Sequence, residues 1–401
     1  MAKKNTRAPK SAANDFWTYP GLYKAYEVAI YYGFMPSSYI EPEKADIDAA
    51  KSFLHDKDNL AYCEQKVALI RSYFLKNPSQ SPVALIYETK AEKGHDKKKR
   101  DKTELNLDLL GTSRSISDAT VIKAAYEIVK NEGFKSLSLE INSIGDRESF
   151  GRFTRDLTSF FRKHMNELHP ECRQLFKKSP YSIITCSHEK CNEIKEHMPH
   201  PINFLSEPSR NHFMELLELL ETAGIPYSLN NALIEHPDIA SHTIFRILGQ
   251  ESEGAGAKEE VVASGLRYSG IAKKMGLKKD VPGISATILV PRKPKAESKT
   301  KKIRKPQIYF IQMGQSAKLK SLSLIEALRQ AKIALYHSLT KDKLTVQLAS
   351  AEYVKVPYIL IMGQKESMEN TILFREMSNR SQETINLDQI AAYLKNALAE
   401  Q

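Results

Sequence analysis

The sequence of 401 residues predicts an α+β core on a mainly antiparallel sheet, then a three-layer α/β domain with a largely parallel sheet. Three observations carry this. The stretch 291–306, PRKPKAESKTKKIRKP, has three prolines and eight basic residues with almost nothing apolar, so it reads as a linker. Upstream, hairpins and sequential strands are interspersed with long helices, the pattern of an α+β sheet. Downstream, short apolar strands alternate with helical segments, the pattern of a sheet covered on both faces.

The elements follow in order. YPGLYKAYEVAIYYGF (19–34) reads as a helix, and with Trp17 its Tyr23, Tyr26 and Tyr31 are assigned to core and dimer packing. VALIYE (83–88) and LNLDLLG (105–111) are hairpin strands around a strongly basic loop. SDATVIKAAYEIVKNEGF (117–134) is a capped helix that stops at Gly133. SLSLEINSIG (136–145) is a strand. FGRFTRDLTSFFRKHMNEL (150–168) and PSRNHFMELLELLETAG (208–224) are long helices, the second with proline near its start and glycine at its end. HTIFRILG, EVVASG and ISATILV supply further strands. Beyond the linker, PQIYFIQMG, IALYHSLT, VPYILIMGQ and NTILFREM are strand-like, while SLSLIEALRQAKIA, VQLASAEYVK and NLDQIAAYLKNALAE are helical. No repeat of fixed period appears. The division is therefore a basic disordered tail (1–15), a core (16–290) with a helical insertion near 148–225, the linker (291–306) and an α/β domain (307–401).

Composition is that of a soluble globular chain, 41% hydrophobic and 27% charged. No apolar run approaches the roughly 18–20 residues of a membrane span, so no membrane partner is expected. MAKKNTRAPK lacks the apolar region of a secretory signal, and four cysteines (Cys63, Cys172, Cys186, Cys191) suit a reducing compartment, so the cytoplasm is expected. The net charge of +11 is localised: residues 1–10 carry +4, 93–102 carry +4 and 292–305 carry +7, leaving −4 for the rest. Such concentrated charge suits contact with phosphates. The candidate RNA-binding residues are Lys93, Lys97, Lys98, Lys99, Arg100 and Lys102 in the hairpin loop. In the linker they are Arg292, Lys293, Lys295, Lys299, Lys301, Lys302, Arg304 and Lys305.

Other chemistries find little support. There is no Gly-rich phosphate loop and no Ser-His-Asp arrangement, and GQESEGAGAKEE (249–260) reads as an exposed turn. TCSHEKCNEIKEHMPH (185–200) gathers Cys186, His188, Cys191, His197 and His200. Its C-x-H-x2-C spacing is irregular for a tetrahedral zinc site, and no metal is assigned.

LSLEINSIGD (137–146) resembles the "LEINSLG" strand of histidyl-tRNA synthetases, and RYSGIAKKMG (267–276) resembles that family's "GGRYDGL…LGG". The segment after 306 is similar to the anticodon-binding domain shared by the His, Gly, Thr and Pro synthetases. The resemblance covers nearly the whole chain. It implies a class II synthetase core, with an antiparallel sheet and flanking helices, and a C-terminal three-layer α/β anticodon-binding-type domain. It also implies a homodimer, with ATP and magnesium as cofactors if the chain is active.

Forming an adenylate requires two anionic groups to be held together, which calls for arginine forks. Where the family has "FRYERP", this sequence reads IYETKAE, with Tyr87 at the arginine and Thr89 at the acid. The stretch matching "GLER" is PGISATILV, without arginine. For "RGLDYY" the sequence has IEHPDIAS, so Glu235 or a neighbour replaces the arginine, and Ile239 and Ala240 replace the tyrosines. The amine-binding "EGT" corresponds to Glu64-Gln65-Lys66, and the return-strand glutamine and glutamate correspond to Glu104 and Asp108. The resemblance thus implies a degenerate synthetase with no catalytic residues and no cofactor, binding tRNA or another structured RNA. An active histidine–tRNA ligase with shifted motifs, and an accessory or regulatory subunit of a nucleic-acid enzyme or of ATP phosphoribosyltransferase, remain the alternatives.

Overall fold

The computed structural model describes residues 16–19, 23–54, 59–75, 81–89, 102–184, 186–235, 238–251, 259–291 and 301–399, without the side chains of 16–19, 23, 178 and 301–304. In chain order the first elements are β1 (Phe16–Tyr19), α1 (Tyr23–Tyr31), β2 (Met35–Pro36), α2 (Lys44–Phe53), α3 (Leu60–Ile70), β3 (Val83–Thr89), β4 (Lys102–Leu110), α4 (Ser115–Asn131) and β5 (Lys135–Ser143). A helical stretch follows: α5 (Arg147–Lys163), α6 (Pro170–Lys178), α7 (Glu189–Lys195) and α8 (Glu207–Thr222). The core then closes with β6 (Tyr227–Leu229), β7 (Ala240–Gln250), β8 (Glu260–Tyr268), α9 (Ile271–Lys274) and β9 (Gly283–Pro291).

Eight strands form one sheet in the order β2-β3-β4-β9-β8-β7-β5-β6. Only β2–β3 and β5–β6 are parallel, so the sheet is mainly antiparallel. The strand sequences explain its two faces. In β4, KTELNLDLL, Leu105, Leu107 and Leu109 point one way and Glu104, Asn106 and Asp108 the other, the period of two that a strand imposes. The leucine face joins Ile284, Ala286 and Ile288 of β9 in the main core, where α4 packs through Ile116, Ile122 and Ile128. The polar face is covered by a second apolar cluster that includes Val67 and Leu69 of α3.

At the end of β5 the chain turns sharply. Gly145 has φ +70°, and a Cβ there would lie 2.6 Å from Ser149 Cβ. Asp146 then caps α5 by accepting from Ser149 N at 2.8 Å and takes the Ser206 hydroxyl at 2.6 Å, joining the starts of α5 and α8. Burial opposes this charge, but the hydrogen bonds win and hold the carboxyl near about 2.

The C-terminal part comprises β10 (Lys301–Arg304), β11 (Ile308–Gln312), α10 (Gln315–Gln330), β12 (Leu335–His337), α11 (Leu344–Val354), β13 (Tyr358–Met362), α12 (Gln364–Met368), β14 (Thr371–Glu376), β15 (Gln382–Asn386) and α13 (Ile390–Ala399). Ile308 and Phe310 of β11 face the cluster containing Leu328 of α10 and Leu394 of α13. Tyr309 and Ile311 face Ala351 of α11. Both sheet faces are covered, as the alternation predicts.

Two expectations change. The C-terminal sheet, order β12-β11-β13-β14-β15, is mixed and not largely parallel, because β13, β14 and β15 pair antiparallel. Its edge strand β15, QETIN, has a single buried residue, Ile385, and so lacked an apolar pattern. Residues 301–304, assigned to the linker, form β10 and pair antiparallel with β1, Phe16 opposite Arg304. Backbone pairing needs no apolar side chains, which composition could not register. The apolar surface of α1 packs into the core, in line with the first half of its assignment. Tyr26, Val28, Ala29 and Tyr32 lie in the main core, and the Tyr32 hydroxyl donates to Glu326 of α10 at 2.7 Å.

The two parts dock through this region. Arg329 donates to Glu127 at 3.0 Å and Glu326 at 2.7 Å, Ser323 donates to Thr222 O at 2.7 Å, and His337 Nε2 lies 3.1 Å from Tyr31 O. Among the described residues no helix is long and apolar enough to cross a membrane.

Candidate functional site

The polar face of β3, β4 and β9 is the part of the sheet where chemistry could be placed. Register aligns Tyr87 with Asn106 and Thr287, Thr89 with Glu104, and Asp108 with Ser285. Over this row lies α3, which presents Tyr62 and Lys66 one turn apart.

These groups close on one another. Lys66 Nζ is 2.7 Å from Asp108 Oδ1, and the Tyr87 hydroxyl donates to Asp108 Oδ2 at 2.6 Å. Tyr268, at the end of β8, donates to Oδ1 from 3.4 Å. The Lys66 ammonium also sits 4.7 Å from the Tyr62 ring centroid and 5.8 Å from that of Tyr268. Tyr62 and Ser285 share a 2.6 Å hydrogen bond. Lys66 is 1% exposed and Asp108 0%, so a full ion pair has been taken out of water. Burial first, then the Asp108 charge, pushes the hydroxyls of Tyr62, Tyr87 and Tyr268 well above the usual tyrosine range. They are donors, not bases.

Further along the row, Thr89 donates to Glu104 at 3.1 Å, Asn106 donates to Thr89 at 3.1 Å, and Thr287 donates to Asn106 at 2.8 Å. Gly283 lets Tyr268 in: a Cβ there would stand 2.6 Å from the tyrosine ring. An arginine does sit beside the cluster, but its donors are taken. Arg267 binds Asp118 through Nε at 2.9 and 3.0 Å, Thr112 O at 2.9 Å, and Arg114 O and Ser117 Oγ at 3.1 and 2.6 Å. Asp118 also receives Thr243 at 2.7 Å and lies 2.8 Å from His212 Nε2. Burial alone would raise this carboxyl. Arg267 and His212 overcome that and hold it far below its usual range.

Residues 307–397 match the family described as the anticodon binding domain. Over 326 residues the chain is 29% identical to a histidine–tRNA ligase of Listeria innocua, covering 80% of this chain and 76% of that protein. A histidine–tRNA ligase of Geobacillus sp. is likewise 29% identical over 330 residues, 80% of this chain and 77% of the relative. Over four fifths of its length the chain is similar to histidine–tRNA ligases. A solved apo structure of the S. aureus histidyl-tRNA synthetase aligns over 98% of this chain and 99% of that one, at 20% identity and a TM-score of 0.49. The mixed sheet and helices of residues 307–397 coincide with the part of the chain that matches the anticodon binding domain.

Of the positions taken from the family pattern, Tyr87, Lys66 and Asp108 meet in one cluster. Glu104 stands two residues along the same face, held by Thr89. Glu64 is half-buried at the rim, and Glu235, next to the undescribed residues 236–237, adds a small push to Tyr62 after that of Asp108. Ile239 and Ala240, at the tyrosine positions, are buried in apolar clusters. Tyr62, Tyr268 and Ser285 were not picked out from the sequence. The pair Tyr62 and Lys66, spaced i, i+4, was the available signal.

The basic candidates fare differently. Lys93, Lys97, Lys98, Lys99 and Arg100 lie outside the described residues, as do Arg292, Lys293, Lys295 and Lys299. Of Lys301, Lys302 and Arg304 only the backbone is described, and Lys305 follows them half-buried. The Lys102 ammonium is held within the chain by Glu260 at 2.6 Å and Glu251 at 3.0 Å.

Proposed function

We propose that this chain is a non-catalytic member of the histidyl-tRNA synthetase family that binds tRNA or another structured RNA. The observation that carries the reading is the closed Lys66–Asp108–Tyr87–Tyr268 cluster. Where the family resemblance places an amino-acid pocket, a buried ion pair and aromatic rings fill the space. A lysine there repels a substrate ammonium, and Tyr87 offers a phosphate no fixed positive charge. The anticodon-binding domain and the two basic segments, 93–102 and 292–305, support retained RNA contact. In this reading the protein works in the cytoplasm as a two-fold dimer, and ATP and magnesium are not needed.

Histidine-dependent ATP–pyrophosphate exchange is the test. Loss of one transition-state donor typically costs ~10²–10³ in rate, and three arginines are missing, so no exchange is expected. Exchange that depends on histidine overturns the reading and establishes an active ligase. RNA binding is tested separately, by fluorescence anisotropy with labelled tRNA at two salt concentrations; no binding at low salt removes the RNA half of the proposal.

A further inference from the structure

The helical segment between β5 and β6 brings together side chains that the sequence keeps apart. The sulfurs of Cys172, Cys186 and Cys191 lie within 4.8 Å of one another, and ring nitrogens of His169 and His188 lie within 4.8 Å of Cys172 Sγ. Cys172 comes from the first turn of α6, Cys186 from the loop before α7, and Cys191 from the first turn of α7. The irregular C-x-H-x2-C spacing of Cys186, His188 and Cys191 argued against a metal here, whereas the fold adds Cys172 and His169.

From this geometry we infer a structural zinc site whose ligands are the thiolates of Cys172, Cys186 and Cys191, with the fourth donor from the His169–His188 pair. Three soft sulfurs and one imidazole are the donor set of a closed tetrahedral zinc centre. Zinc–sulfur bonds of about 2.3 Å place thiolates roughly 3.8 Å apart. Cys172 Sγ and Cys186 Sγ are 3.0 Å apart, so this pair would separate by under about 1 Å on coordination. Two further observations point to a ligand. His169 Nδ1 is buried without a hydrogen-bond partner. The His169 and His188 rings stack 3.8 Å apart at 15°, with His188 Nε2 3.6 Å from the Glu171 carboxylate, the kind of outer partner that orients a ligating imidazole.

The surroundings fit. On binding, three thiols release their protons to solvent and the centre carries one net negative charge. The Lys195 ammonium, hydrogen-bonded to the Ile184 carbonyl at 3.2 Å and to that of Cys186, stands next to it. Cys172 and Cys191 belong to the apolar cluster that holds α5, α6 and α7 together, with Phe153, Leu157 and Phe161. A zinc ion would tie α6 to α7 where no sheet does so.

The full chain, purified untagged, under reducing conditions and without chelators, is assayed for metal by inductively coupled plasma mass spectrometry. About one zinc per chain is expected, released in step with a mercurial thiol reagent. Cys172→Ser, Cys186→Ser and Cys191→Ser each abolish it, while Cys63→Ser, in α3, keeps it. Should those variants fail to fold, cobalt(II) loaded into the wild-type chain reports directly, because thiolate ligation gives an intense charge-transfer absorption. His169→Gln/His188→Gln lowers zinc affinity by at least about tenfold. A wild-type chain that holds no zinc, takes up none when it is added, and has either three freely titrating thiols or a Cys172–Cys186 disulfide overturns the inference.

Discussion

Replacing Lys66 by methionine tests whether the polar face is a closed core or an open pocket. The substitution keeps the length of the side chain and removes its ammonium. Asp108, 0% exposed, is left with the hydroxyls of Tyr87 at 2.6 Å and Tyr268 at 3.4 Å and no counter-charge. Breaking one side of a buried pair costs ~3–5 kcal/mol. For a domain of this size that lowers the thermal midpoint by roughly 5–15 °C. Asp108→Asn leaves the ammonium between the rings of Tyr62 and Tyr268, which return ~1–2 kcal/mol, so its cost falls at the lower end. The double variant Lys66→Met/Asp108→Asn carries no orphaned ion, and its loss should be smaller than the sum of the singles by ~1.5–3 kcal/mol. Differential scanning calorimetry or equilibrium urea unfolding of the four proteins measures this. Two single variants within ~0.5 kcal/mol of wild type, or strictly additive losses, would refute the reasoning. The pair would then be hydrated and the face open to small molecules.

Acid should loosen the protein before its carboxylates titrate. His242 and His337 are held down to about 4, each mainly by burial, with His212 and Arg267 adding to the effect at His242 and the Tyr31 carbonyl partly opposing it at His337. The unfolded chain takes up these protons near 6.5 and the folded chain does not, so each site removes up to ~1.4 kcal/mol per pH unit as pH falls from 6.5 towards 4. His337→Asn should flatten the fall in urea-unfolding stability over that window; an unchanged slope counts against the assignment. Charge reversal of Lys97, Lys98, Lys99 and Arg100 to Glu should weaken tRNA binding and flatten the plot of log K against log salt by roughly 1.4–2.8, with reversals in 292–305 as the control. A variant that binds like wild type removes the loop from the interface. Light scattering at micromolar concentration should give a dimer mass, and a monomer mass would sink the two-fold arrangement.

Much of the architecture was legible because period and punctuation agree. The alternation in KTELNLDLL marked a strand with one polar face, and PSRNHFMELLELLETAG carried its own proline start and glycine end. What escaped were elements stabilised by other means. Helix α3 has seven consecutive or near-consecutive buried residues, Cys63, Gln65, Lys66, Val67, Ala68, Leu69 and Ile70, so it lacks the stripe that announces an amphipathic helix. Strands β10 and β15 are polar edge pieces that depend on backbone pairing. The cluster itself was half legible: Lys66, Tyr87 and Asp108 were marked as departures from a pattern, but only the fold shows that the lysine answers the aspartate. Cys172 was invisible as a partner of Cys186 and Cys191 because α6 folds back on α7.

A binding face and a core face differ in whether their polar groups have partners before a ligand arrives. On the row from Glu104 to Ser285 each named group already has one: Glu104 and Asn106 with Thr89, Asn106 with Thr287, Asp108 with Lys66 and Tyr87, Ser285 with Tyr62. A ligand that uses Asp108 must first separate it from Lys66, at ~3–5 kcal/mol, which is two to three and a half decades of affinity. An ammonium-bearing substrate also meets the released lysine. The same contacts hold the sheet and its cover together, Lys66 of α3 to Asp108 of β4 and Thr287 of β9 to Asn106 of β4. On the proposed function, substitutions that fill such a pocket oppose catalysis and favour the scaffold at once, and a chain that only presents basic segments to RNA has no reason to keep the pocket open.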